Sequence, residues 1–254
     1  MPLPVALAWT LGAVGAQAKY HAQHGGTASI ASHLRGKLGW LRDIKGQSDP
    51  VFRRLAKRFN FLFPQESMKI EPTQSEVRER AVWIIEDSAV KGDQGTAFFL
   101  KDYGLVTAAH CVNDAEELVV YHPSRTSRKF SVVVDKMCAH RDVALVTHDI
   151  PANEYFELEI IEKAVSSEDP ITALGYPQFG PGDKLNIRSG TISSLPIKSA
   201  VQKIEVSQKI TKGMSGGPLL DQDGRVAGIN HKGGPGEDRD LGIHIEELQK
   251  LASE

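Results

Sequence analysis

Hydrolysis of a peptide bond needs a nucleophile, a base that takes its proton, a group that orients the base, and donors for the developing oxyanion. The sequence offers a candidate for each. Ser215 lies in Gly213-Met214-Ser215-Gly216-Gly217-Pro218, between two apolar runs. Small residues on both sides let the backbone turn tightly and let a carbonyl oxygen approach the N–H groups of Gly213 and Ser215, the oxyanion-hole candidates. His110 closes the run LVTAAH, where Ala108 and Ala109 leave room for an imidazole at a crowded junction. Asp142 heads DVALVTH, and a carboxylate there could hold His110 in one tautomer and stabilise its imidazolium. Asp135 is the second candidate for that role. Taken singly, each has a structural reading: a Gly-Pro turn, a histidine packed after a strand, an aspartate at a strand end. Their order along the chain, base then carboxylate then nucleophile, makes them a set.

Other chemistries find less support. Neither Cys111 nor Cys138 has a CxxC partner and no HExxH occurs among the nine histidines, so no metal is implied and no cofactor is expected. Two cysteines make no disulfide framework, although one bridge stays arithmetically open. A net charge of −2 and a pI near 6.5 give no global attraction for nucleic acid, which is not expected as a partner.

The elements that must position these residues begin near residue 80. From there the chain breaks into short β-type runs punctuated by Gly, Pro and Asp: AVWIIED, GTAFFL, GLVTAAH, ELVVYH, KFSVVVD, DVALVTH, ITALGYP, NIRSGTIS, QKIEVSQKI, GPLLD, RVAGIN and LGIHI. Many short strands at such spacing point to an all-β barrel or sandwich. IEELQKLASE reads as a short terminal helix. With 254 residues, 41% of them apolar, the chain has room for one sizeable domain and an extra piece, divided here as 1–79 and 80–254.

The extension is expected to be mainly helical. Residues 2–18 carry no charge, and three readings stand: a signal peptide cleaved after Ala16-Gln17-Ala18 but lacking a basic start, a membrane anchor at the short limit, or a buried small-residue helix. If the segment inserts, Lys19, Arg35, Lys37 and Arg42 behind it keep the rest of the chain in the cytoplasm. Ser48-Asp49-Pro50 starts a helix over about 49–63, in which Val51, Phe52, Leu55 and Phe59 face one way and Arg53, Arg54, Lys57 and Arg58 fill much of the rest. Such a face suits an anionic membrane or a partner protein, or simply a domain surface. Contact with either is therefore expected, if anywhere, through residues 1–63.

Together GTAFFL, GLVTAAHC, DVALV, GMSGGPLLD and GRVAGIN resemble, in that order, the chymotrypsin-like serine protease superfamily, and especially its bacterial HtrA-like branch. The order His, Asp, Ser is also that of chymotrypsin rather than of subtilisin or the α/β-hydrolases. The resemblance covers about residues 80–250. It implies two six-stranded antiparallel barrels, with His110 and Asp142 from the first, Ser215 and the oxyanion hole from the second, and a protein or peptide substrate cleaved through an acyl-enzyme. The chain departs from the trypsin-type pattern at Met214, where zymogens carry an aspartate that receives a new N-terminus. It departs again near Gly95, where the digestive enzymes place the disulfide partner of Cys111. It stops soon after the last helix, so gating by the PDZ domain usual in HtrA-like proteins is not expected.

Family geometry puts Lys209 and Lys212, with Asn230, His231 and Lys232, along the primary substrate pocket, which raises a preference for an acidic residue before the scissile bond. Unpaired thiols suit a reducing compartment, so the expected location is cytoplasmic, with or without membrane association; it becomes periplasmic or secreted if residues 1–18 are a signal peptide. Two other functions stay open: a protease fold without turnover that serves as a scaffold, and an effector whose N-terminal segment is the active part.

Overall fold

The computed structural model describes residues 72–90, 92, 94–232 and 239–254. The apolar segment 2–18, the helix expected over about 49–63, and any membrane or partner contact through residues 1–63 lie outside them. A compact unit spans Gln74–Glu254.

Helix α1 (Gln74–Ala81) leads into β1 (Val82–Asp87), followed by β2 (Gln94–Leu100), β3 (Gly104–Thr107), β4 (Leu118–Tyr121), β5 (Lys129–Ser131), β6 (Val133–Cys138) and β7 (Val143–Thr147). These strands form one antiparallel sheet in the order β5-β4-β1-β2-β3-β7-β6. Among the described residues, no ladder joins its two edges. Instead β5 and β6 are consecutive, separated by Val132 alone, so one bent run passes from β4 to β7 and curls the sheet into a half-closed barrel.

The second sheet comprises β8 (Pro170–Gly175), β9 (Asn186–Ser194), β10 (Ile197–Lys198), β11 (Val201–Val206), β12 (Pro218–Leu220), β13 (Val226–Lys232) and β14 (Asp240–His244). It runs β10-β11-β14-β13-β12-β8-β9, and pairing of β9 with β11 closes six of the strands into a barrel. The chain ends in α2 (Ile245–Ser253), whose start is capped by His244 Nδ1 accepting the Glu246 N–H.

Strand alternation explains why so many strands are apolar on both faces. Trp83, Ile85, Ala97 and Phe99 belong to the cluster that fills the first barrel. Their neighbours Val82, Ile84, Phe98 and Leu100 share a second cluster with Leu174, Tyr176, Ile229 and Ile243 of the other barrel and Leu248 and Leu251 of α2. The inside of the second barrel holds Ile171, Ala173, Ile204, Leu219 and Met214. The barrels therefore share a dry seam, and Tyr176 fastens it by donating its hydroxyl to Val82 O at 3.1 Å. The functional residues sit at the edge of that seam.

Candidate active site

His110 stands in a single 3-10 turn, Ala109–Cys111, directly after β3. The turn lifts its ring out of the barrel wall, leaving the side chain 45% exposed beside a nearly buried Asp142 carboxylate. Asp142 ends the short β6–β7 connection in the left-handed region, with φ of 58°, a conformation that aspartate tolerates better than most residues. That backbone bend turns the carboxylate back to His110. Oδ1 accepts the His110 backbone N–H at 2.9 Å, and both carboxylate oxygens lie 2.9 Å from Nδ1.

An ionised carboxylate only accepts hydrogen bonds, so His110 carries its proton on Nδ1 and leaves Nε2 as the acceptor. Burial disfavours the imidazolium, yet the hydrogen bonds to Asp142 prevail and raise the proton affinity of His110. Burial likewise works against the Asp142 anion. The donors from His110 and His231 outweigh it and hold the carboxyl well below its usual range.

Ser215 is brought in from the second barrel by a loop that is pinned on every side. Met214 is completely buried in that barrel's core, an environment that would leave an aspartate unsolvated. Gly213 and Gly216 have φ of 93° and 83°, and a Cβ at Gly216 would lie 2.2 Å from both Thr107 Oγ1 and Thr96 O. The loop can press this closely against the first barrel only with glycine there. Thr96 completes the contact: its N–H donates to Ser215 O at 2.8 Å and its Oγ1 donates to Gly213 O at 2.7 Å. Cys111 Sγ, next to His110, lies 3.6 Å from Ser215 O. Among the described residues, the N–H groups of Gly213 and Ser215 have no protein acceptor, and Ser215 Oγ makes no hydrogen bond to His110 Nε2. Such contacts often tighten only once substrate is bound.

The residues expected in the substrate pocket are spread out. Lys209 is 70% exposed and its ammonium lies 3.5 Å from Asp240. Asn230 is buried and braces the nucleophile loop, donating Nδ2 to Leu174 O at 2.7 Å and to Met214 O at 3.2 Å. Its neighbour on β13 points the other way, and His231 Nδ1 lies 2.5 Å from Asp142 Oδ2. Asp135 lies within β6 rather than at the His110 turn. Thr96 is visible in the sequence only as part of GTAFFL; the signal that could single it out is a hydroxyl in an otherwise apolar buried run.

His110, Asp142 and His231 bring ligand-type atoms within 4.8 Å of one another. Their N···O separations of 2.9 and 2.5 Å are nevertheless those of hydrogen bonds, shorter than the roughly 3.3 Å between neighbouring ligands of a zinc ion held at ~2.0 Å. Cys111 and Cys138 are both free thiols.

Two antiparallel barrels packed along a seam, one bearing His110 and Asp142 and the other Ser215, define a chymotrypsin-like protease fold. A family described as "Trypsin-like peptidase domain" matches residues 95–229, just over half of the sequence, and the chain belongs to that family. A probable periplasmic serine endoprotease DegP-like of Pseudomonas fulva is 30% identical over 141 residues, covering 54% of this chain and 28% of that protein. The chloroplastic Protease Do-like 1 of Arabidopsis thaliana is 32% identical over 171 residues, covering 62% of this chain and 37% of that protein. The chain thus spans only about a third of the length of these relatives, or less. Among solved structures, the active form of the Rv3671c protease from M. tuberculosis superposes with a TM-score of 0.60 at 19% identity, covering 71% of this chain and 83% of that one. The serine endoprotease of Yersinia pestis gives 0.58 at 21% identity, covering 72% and 66%.

Proposed function

We propose that this chain is a serine endopeptidase that cleaves proteins or peptides through an acyl-enzyme. The observation that carries the reading is the His110–Asp142 pair at 2.9 Å, whose geometry leaves His110 Nε2 free to take a proton beside the Ser215 loop. Ser215 Oγ attacks the carbonyl carbon while its proton passes to His110 Nε2, and the oxyanion is received by the N–H groups of Gly213 and Ser215. The proton then goes to the leaving amine as the C–N bond breaks, and water hydrolyses the ester by the same route. Membership of the trypsin-like peptidase family and the names of the relatives support this reading.

The test is labelling of the purified full-length protein with a fluorophosphonate probe, alongside its cleavage pattern on a mixed peptide library, with Ser215→Ala as the blank. Covalent labelling of Ser215 and Ser215-dependent cleavage are expected. A wild-type protein that neither labels nor cleaves, where a control protease does both, would instead favour a scaffold built on a protease fold. The same library reads the pocket: Lys209 and His231 favour an acidic residue before the scissile bond only if they face substrate, and both are engaged by carboxylates of the protein itself.

Location is part of the proposal. Two free thiols suit a reducing compartment, whereas the Pseudomonas fulva relative is named periplasmic. No described helix is long and apolar enough to cross a membrane. Fractionation of the full-length protein, compared with a chain lacking residues 1–73, decides between them.

A further inference from the structure

We infer that His231 is a positioning residue for Asp142: its Nδ1–H holds the carboxylate from the second barrel and so keeps His110 in the tautomer that accepts the nucleophile's proton. The inference rests on the proposed serine protease reading and assigns a further residue to the same site.

The argument starts from the two oxygens of Asp142. Oδ1 has the His110 backbone N–H at 2.9 Å, so the turn that carries the base fixes it twice. Oδ2 has His110 Nδ1 at 2.9 Å and His231 Nδ1 at 2.5 Å. The Asp142 side chain is only 11% exposed, so removal of His231 would leave one lone-pair direction of an ionised oxygen facing little water. A buried charge that loses a donor relaxes toward the donors that remain. Here both remaining donors belong to His110, so Oδ2 loses the one contact that holds it from the other barrel and the carboxylate is left free to rotate against the His110 ring.

The second part is where His231 comes from. Asp142 is reached from the first barrel through a backbone in the left-handed region, a conformation that persists only where its surroundings hold it. His231 belongs to β13, opposite Leu241 of β14, and so to the rigid wall of the second barrel. On that strand, alternation sends Asn230 inward to the Ser215 loop and His231 outward to Asp142. One step of β13 therefore braces both halves of the site, the nucleophile through Asn230 and the base's carboxylate through His231. The two imidazoles meet edge to face, with ring centroids 5.8 Å apart, so neither occupies the other's place on the carboxylate.

Tautomers follow from the same contacts. The carboxylate can only accept, so both imidazoles present Nδ1–H to it, and the free nitrogen of each is Nε2.

The experiment compares wild-type protein with His231→Asn, whose Nδ2 can occupy the place of Nδ1, and His231→Phe, which keeps the bulk without a donor. A library-derived peptide and the fluorophosphonate probe serve as substrates, and thermal melting confirms that each variant is folded. His231→Phe is expected to lower kcat and the labelling rate roughly ten- to a hundredfold with KM nearly unchanged, well short of the ~10⁴ expected for losing the orienting aspartate itself. His231→Asn is expected to restore most of the loss. A change in KM without one in kcat, or an Asn variant no better than Phe, overturns the inference.

A second measurement does not depend on turnover. In ¹⁵N-histidine NMR of the Ser215→Ala protein, His231→Phe should shift the low-field His110 Nδ1–H resonance, and His231→Asn should largely leave it in place. An unmoved resonance in the Phe variant overturns the inference even if the wild-type protein proves inactive, in which case the protease reading has failed separately.

Discussion

Arg141 and Glu247 tie the loop that carries Asp142 to the C-terminal helix, with Arg141 Nε 3.5 Å from Glu247 Oε2 and Arg141 Nη2 2.7 Å from Glu254 Oε1. Glu247 is almost completely buried and also accepts Lys250 Nζ at 2.7 Å and the Gln202 N–H at 3.1 Å. Burial opposes its ionisation, but Lys250, the Gln202 N–H and Arg141 together lower its pKa. A carboxylate depressed in the folded state stabilises the fold above its unfolded value, about 4.3, and that contribution is lost as pH falls through the lower folded value. Glu247→Gln should therefore destabilise the protein by about 2 kcal/mol at pH 7. It should also flatten the fall of melting temperature below about pH 4.5 relative to wild type. Thermal melts from pH 7 to pH 3 check both.

Asp142→Asn tests the tautomer argument. One amide oxygen cannot satisfy two imidazole N–H groups and the His110 backbone N–H, and the amide N–H₂ would face Nδ1 of one ring. His110 then moves its proton to Nε2 and ceases to be a base. A loss of about 10⁴ in kcat with little change in KM is expected. In the wild-type protein, burial works against the imidazolium but Asp142 raises the proton affinity of His110. Because the neutral form is the active one, the acid limb of kcat/KM should lie above the ordinary histidine value of about 6.5. In Asp142→Asn that limb should fall back toward or below it.

Thr96→Val removes one hydroxyl at nearly constant shape. Thr96 Oγ1 donates to Gly213 O at 2.7 Å and accepts the Tyr176 N–H at 3.1 Å, so valine strands a buried carbonyl and a buried N–H. A loss of about 2 kcal/mol in stability is expected from those groups. The carbonyl belongs to the residue whose N–H is the proposed oxyanion donor. A loosened Gly213 should therefore lower kcat by roughly 10²-fold, and Thr96→Ser should recover it. Chemical denaturation and peptide kinetics on the same preparations separate the two effects.

Some of this is legible in the sequence and some is not, for physical reasons. The runs from AVWIIED to LGIHI stand out because β1, β2 and β12 are buried on both faces, so their apolar content is unusually dense. GMSGGP stands out because Gly213 and Gly216 occupy backbone conformations and close approaches that side chains cannot. KFSVVVD reads as one strand, yet it breaks at Val132 because it must serve two partners. The two-residue β10 is too short to show a period, and Gln74–Ala81 has too weak an apolar face to announce a helix. Proximity to GIN suggests a pocket position for His231. Its contact with Asp142, 89 residues away, depends on which face of β13 meets the first barrel, and nothing local encodes that.

Gly95 and Cys111 give a last test of how the nucleophile loop is seated. The digestive enzymes place a disulfide cysteine near the position of Gly95, but here a Cβ would lie 2.6 Å from Cys111 Sγ and 3.2 Å from both Cys111 Cβ and Ser215 O. The glycine makes room for the unpaired sulfur, which fills space behind Ser215. Its φ lies outside the left-handed region, so the requirement is steric and not conformational. Gly95→Ala should destabilise the fold by about 1–3 kcal/mol, by forcing the sulfur against the Ser215 carbonyl. Cys111→Ala on its own leaves a small void and should lower stability less. The double variant removes the 2.6 Å collision while keeping the 3.2 Å contact with Ser215 O, so it should be more stable than Gly95→Ala alone. A coupling of about 1 kcal/mol or more is expected from denaturation of the four proteins. Simple additivity would mean that the strand carrying Gly95 moves away instead, and fluorophosphonate labelling should then fall in both variants that carry Gly95→Ala, whether or not the sulfur is present.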